Sequence, residues 1–152
     1  MCTFPAADLR TTQHVASWVA GLLQAGDVVL LIGDLGAGKT TFTKALAATL
    51  GVTETVTSPT FTLMRHYRLP DGRILLHLDA YRLDGPEGLD ELGLDEFVDD
   101  GAIAVIEWGD VVAAGIGPDR LEISFTWISE DARAIELRGR GGWADRLAAA
   151  RP

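Results

Sequence analysis

The chain has 152 residues, 47% of them hydrophobic, which is enough for one compact domain with a real core. Its formal net charge of −9 argues against nucleic acid as a direct partner unless a local basic patch overrides the field. A single cysteine, Cys2, excludes an internal disulfide; no signal-type apolar stretch opens the chain and no run approaches the roughly 18 apolar residues of a membrane span, so a soluble, cytoplasmic protein without membrane contact is expected.

Thr11 and Thr12 are placed to cap a first helix, along which Val15, Trp18, Val19, Leu22 and Leu23 recur at helical spacing until Gly26. Residues 28–32 form a continuous apolar run, the pattern of a strand buried on both faces. The stretch GDLGAGKTT, residues 33–41, follows, and Phe42, Ala45, Leu46 and Leu50 then mark a second amphipathic helix stopped by Gly51.

Over residues 61–79 the period changes to two. Phe61, Leu63, Arg65, Tyr67 and Leu69 share one side, Pro70-Asp71-Gly72 makes a turn, and Ile74, Leu76 and Leu78 continue the alternation as a hairpin. Pro86 suits the first turn of a helix whose buried side is Leu89, Leu92 and Phe97. Residues 102–106 are another buried strand, residues 121–127 and 132–137 alternate around the turn Ser129-Glu130-Asp131, and residues 143–150 suggest a short final helix. No linker, repeat or low-complexity segment interrupts this order, so a single α/β domain spanning 1–152 is expected.

Charge is uneven along the chain. Residues 83–119 contain no Lys or Arg but eleven acids, a solvated helix face or a docking surface for a basic partner protein.

Gly33-x-x-x-x-Gly38-Lys39-Thr40 matches the P-loop pattern, with a strand before it and a helix after it. In such a loop Asp34, Leu35, Gly36, Ala37 and Gly38 turn backbone N–H groups toward phosphate oxygens, and the helix adds the positive end of its dipole. Lys39 reaches the β and γ phosphates, the Thr40 hydroxyl can ligate Mg²⁺, and Thr41 is within range of the α-phosphate. The fold expected is a P-loop NTPase-like three-layer sandwich, with central parallel strands flanked by antiparallel ones.

The metal needs an acid, and two apolar strands end in one: residues 74–79 at Asp79 and residues 102–107 at Glu107. One acid can hold Mg²⁺ while the other orients or deprotonates the attacking water, and the sequence does not divide these roles. The chain has no Asn-Lys-x-Asp guanine reader, and Asp90-Glu91-Leu92-Gly93 lies in a helical stretch, so ATP is favoured over GTP. A nucleotide-kinase lid would need several arginines; 83–119 has none, and Arg65, Arg68 and Arg82 are the remaining candidates. A small-molecule kinase and a non-catalytic nucleotide-sensing scaffold remain as alternatives.

GDLGAGKTTF at 33–42, SPTFTL at 58–63, HLDAYRL at 77–83 and IEW at 106–108 together resemble the bacterial TsaE family, the ATPase of threonylcarbamoyladenosine biosynthesis on tRNA. The resemblance covers most of the chain. It implies ATP and Mg²⁺ as ligands, slow hydrolysis that resets a complex between turnovers, a TsaB–TsaD pair as partners, and tRNA met only through that complex. It assigns phosphate and metal roles to Lys39 and Thr40 and active-site roles to Asp79 and Glu107. It also implies a nucleotide contact for Thr12, a switch-like loop at Ser58, Pro59 and Thr60, a Trp108 ring packed over the site, and a basic Arg133 near the nucleotide. In the period-two reading His77, Asp79 and Tyr81 share one strand face; His77 alone reads as a hydrogen-bonded structural histidine. Leu78 and Ala80 depart from the residues that family members commonly carry there, and both are expected to be packing positions.

Overall fold

The apolar run of β2 (Val28–Ile32) and that of β5 (Ile103–Glu107) lie side by side in the middle of a seven-stranded sheet. A computed structural model describes residues 1–34, 36–59, 63–150 and 152. Leu35, Thr60 and Phe61, singled out above, lie outside these residues, as does Arg151.

The remaining strands and α-helices in chain order are β1 (Cys2–Ala7), α1 (Leu9–Leu22), α2 (Lys39–Leu50), β3 (Met64–Arg68), β4 (Ile74–Asp79), α3 (Glu87–Leu92), α4 (Leu94–Asp99), β6 (Arg120–Ser129), β7 (Ala132–Arg140) and α5 (Gly142–Ala149). The strand order is β1-β7-β6-β2-β5-β4-β3. Strands β6, β2, β5 and β4 run parallel; β3 at one edge and β7 toward the other run against them, and β1, pairing antiparallel with β7 at the outer edge, runs in the same direction as the centre. The expected arrangement of parallel centre and antiparallel flanks is present.

Both faces of the central strands are covered, as continuous apolar strands require. Val29, Leu31, Leu75, Ile103 and Val105 face one core with Val15, Val19, Phe42, Leu46, Trp143 and Leu147 from α1, α2 and α5. Leu30, Leu76, Leu78, Ala104 and Ile106 face a second core with Leu89 and Leu94 from α3 and α4. Leu78 and Ala80 are buried in that second core, as packing positions should be.

Two expectations are corrected in detail. Helix α1 is capped by Asp8, not by Thr11 or Thr12: the Asp8 carboxylate accepts from the Thr11 N–H at 2.8 Å, and that bond holds its carboxyl below the usual range. The helix after Pro86 is two short helices, because Gly93 (φ 74°) turns left-handed between them; Leu89 is buried, but Leu92 and Phe97 only partly. Strand β1 is an addition, paired with β7 at the sheet edge.

Candidate functional site

The loop from β2 delivers the chain to α2 through Gly38, whose φ of 107° is a conformation that a β-carbon disfavours. The Ala37 N–H donates to the Asp34 carbonyl at 3.0 Å and tightens the turn. Lys39 opens α2 with only 5% of its surface exposed. Its ammonium donates to the carbonyls of Gly33 and, at 2.9 Å, Asp34, and lies 4.1 Å from the centre of the Trp108 ring. Burial pulls its pKa below the ordinary lysine value; Glu107, then Asp79, Asp34 and Asp110, oppose that shift.

The two strand-end carboxylates meet by register. Asp79 ends β4 directly opposite Glu107 at the end of β5, and Glu107 is also opposite Leu31 of β2. Asp79 accepts from the Tyr81 N–H at 3.0 Å. Glu107 is 4% exposed; its Oε1 accepts from the Thr40 hydroxyl at 2.9 Å and its Oε2 lies 2.5 Å from His77 Nε2. His77 and Asp79 share the strand face as expected, whereas Tyr81 falls beyond β4 and is exposed.

Beyond Glu107 the chain turns sharply. Trp108 adopts φ 59°, a left-handed conformation that costs a non-glycine residue about 1–3 kcal/mol. In that turn its ring lies over Lys39 on one side and meets the Tyr81 ring at 5.0 Å. Gly109 then passes so close to β2 that an added β-carbon would stand 2.5 Å from the Leu30 side chain.

Two adjoining cavities share Gly38, Thr41 and Arg133. The smaller, about 230 Å³, also brings together Gly36, Lys39, Thr40, Ser58, Asp79, Glu107 and Trp108. The larger, about 430 Å³, lies between the start of α1 and the β6–β7 turn, and includes Ala37 and the buried Thr12. The Thr12 hydroxyl donates to the Asp8 carbonyl at 2.9 Å, a bond within its own helix start. Arg133 joins the cavities: its guanidinium donates to Gly36 O at 3.2 Å and to Ser129 O at 2.6 Å, tying the hairpin turn to the loop. Pro59 is buried and its carbonyl accepts from the Leu63 N–H at 3.1 Å; Thr60 lies outside the described residues, as does Leu35 of the loop.

Asp8, Leu9, Arg10, Phe125, Glu130 and Asp131 also line the larger cavity and were not singled out from the sequence. Glu130 and Asp131 read there only as turn residues. Their approach to α1 depends on β6 joining β2, a pairing between segments about ninety residues apart in the chain.

The comparisons with known proteins identify the family and the fold. The family described as "Threonylcarbamoyl adenosine biosynthesis protein TsaE" matches residues 6–135. The chain belongs to the TsaE family. A Streptomyces coelicolor relative named "tRNA threonylcarbamoyladenosine biosynthesis protein TsaE" is 51% identical over 83% of this chain and 89% of its own. Its Bacillus subtilis counterpart is 39% identical over 90% of this chain and 84% of its own. The crystal structure of Bacillus subtilis YdiB superposes with a TM-score of 0.80 at 32% identity, covering 98% of this chain and 93% of that one. No helix among the described residues is long and apolar enough to cross a membrane.

Proposed function

We propose that this chain, acting as one domain, is the ATP-hydrolysing subunit in formation of threonylcarbamoyl adenosine on tRNA. It binds ATP with Mg²⁺, hydrolyses it slowly alone, and serves a cytoplasmic TsaB–TsaD pair through which alone it meets tRNA. The observation that carries the reading is the Thr40–Glu107 hydrogen bond of 2.9 Å, which joins the P-loop helix to a strand-end acid beside Asp79 in register.

In this reading the N–H groups of residues 34–38 and Lys39 hold the phosphates, Thr41 the α-phosphate side, and the larger cavity with Thr12 takes the base. Trp108 and Arg133 border the nucleotide, and Ser58, Pro59 and Thr60 form the loop that senses it. Mg²⁺ suits the donor set: Thr40, Asp79 and Glu107 offer hard oxygens, and an ion that keeps water and phosphate ligands needs few protein groups. Bound there it would neutralise charge on the phosphates. In this reading Glu107, tied to Thr40, takes the metal side, and Asp79, beside it in register, orients the attacking water.

The test is repeated turnover of tRNA modification by purified TsaB and TsaD. Modification is expected to stall without the chain or with Glu107→Ala, and to continue with the unaltered chain. Sustained turnover with Glu107→Ala would contradict hydrolysis as the working step and favour a nucleotide-sensing scaffold.

A further inference from the structure

Among the described residues, the nucleotide-site roles just proposed leave one fully buried ionisable side chain unused. His77 has no exposed surface, sits in the middle of β4, and points its Nε2 at Glu107 Oε2 from 2.5 Å. Its other ring nitrogen, Nδ1, is also buried and has no hydrogen-bond partner among the described residues. Buried polar atoms without partners are uncommon and mark a constraint imposed by something else.

The pattern of bonds decides the tautomer. With the proton on Nδ1, an N–H would be orphaned and the Nε2 lone pair would face a carboxylate oxygen. With the proton on Nε2, the ring donates to Glu107 and only an acceptor lone pair is left unpaired, the less costly choice. The two oxygens of Glu107 are thus divided: Oε2 is taken by His77, and Oε1 accepts from Thr40 at 2.9 Å.

Register explains how this is built. His77 pairs with Val105 across β4 and β5, one step diagonally from Glu107 on the same sheet face. A carboxylate at a strand end is otherwise free to rotate about its side-chain torsions. Held at one oxygen from behind, Glu107 presents the other toward the start of α2.

We propose that His77 is a positioning residue: as the Nε2–H tautomer it fixes the Glu107 carboxylate so that one oxygen faces Thr40 and the divalent cation of a nucleotide–metal complex. The inference rests on the nucleotide–Mg²⁺ reading above for its function, but its structural half does not.

Two measurements separate the two halves. In nucleotide-free protein, long-range ¹H–¹⁵N spectra of the His77 ring should show a proton on Nε2; a bare Nε2 with the proton on Nδ1 would overturn the proposal whatever the protein hydrolyses. Then the gain in affinity for a fluorescent ATP analogue on adding Mg²⁺ is compared in His77→Leu and His77→Gln, Gln keeping an N–H donor near the Nε2 position. His77→Leu should lose about 10- to 100-fold of that gain while Mg²⁺-free affinity changes less than about twofold. His77→Gln should recover most of the loss. An unchanged Mg²⁺ gain in His77→Leu, or an equal loss in both variants with Mg²⁺-free binding also lost, would overturn it. If the unaltered protein binds the analogue with no gain from Mg²⁺, the nucleotide–metal reading fails instead and the ring spectrum still decides the tautomer.

Discussion

Gly109→Ala is expected to damage both stability and catalysis, because of what lies opposite. The added β-carbon would stand 2.5 Å from Leu30 Cβ and 3.0 Å from Leu30 Cα, with ordinary van der Waals contact beginning near 3.4 Å. The overlap of about 0.9 Å involves the backbone-proximal part of a fully buried residue in the central strand, so no flexible side-chain end can yield. Overpacking of this kind costs about 1–3 kcal/mol. For a chain of this size 1 kcal/mol is about 3 °C, so the melting temperature should fall by roughly 3–9 °C. Gly109 follows Glu107 and Trp108 directly, and a displacement near 1 Å there should cut kcat about 100-fold. The matched control is Gly21→Ala, in the exposed last turn of α1 with open space around the new carbon. It should raise stability by about 0.4–1 kcal/mol through the unfolded chain. Thermal melts and phosphate-release assays on the three proteins test this. A Gly109→Ala protein that melts within a degree of the parent and keeps its kcat refutes the reasoning, as does a Gly21→Ala shift of the same sign and size.

Further outcomes can be checked alongside. Arg146→Ala removes a guanidinium held 2.5 Å from Asp27, 4.2 Å from the Trp143 ring and 3.3 Å from Leu22 O; because the pair is partly exposed, urea unfolding should show a loss of about 2 kcal/mol, short of a fully buried pair. Thr40→Val removes the hydroxyl between α2 and Glu107, and the Mg²⁺ concentration for half-maximal phosphate release should rise about tenfold or more. ATP binding without Mg²⁺ should weaken as pH rises through the Lys39 pKa, which burial places below 10.5, since only the ammonium form attracts phosphate. Glu107→Gln removes the largest charge opposing that shift, so the same loss should begin at lower pH; a limb that moves upward contradicts the assignment.

Much of the framework was legible because its signals are local. The apolar run of β2, the glycines and Lys39 behind it, and the apolar strands ending in Asp79 and Glu107 follow from spacing alone. Strand β1 was not legible: Pro5 interrupts a six-residue segment, and β1 tolerates it only at the sheet edge, where pairing with β7 shifts between Phe4 and Ala7. The sheet order was not legible either, since β2 lies between β5 and β6, both distant in the chain. The larger cavity depends on that order, which is why Phe125, Glu130 and Asp131 gave no sign of it. The Asp8 cap was missed for a simpler reason, two threonines standing where one aspartate does the work. His77 was read as a hydrogen-bonded structural histidine, and its partner proved to be one of the site's own acids.

Steady-state phosphate release from ATP and Mg²⁺, for the chain alone and with purified TsaB and TsaD, tests the central claim most directly. A low rate alone that the pair raises, and that Lys39→Ala abolishes in both conditions, is the predicted result. A rate that the pair leaves unchanged, or that survives Lys39→Ala, would contradict the account.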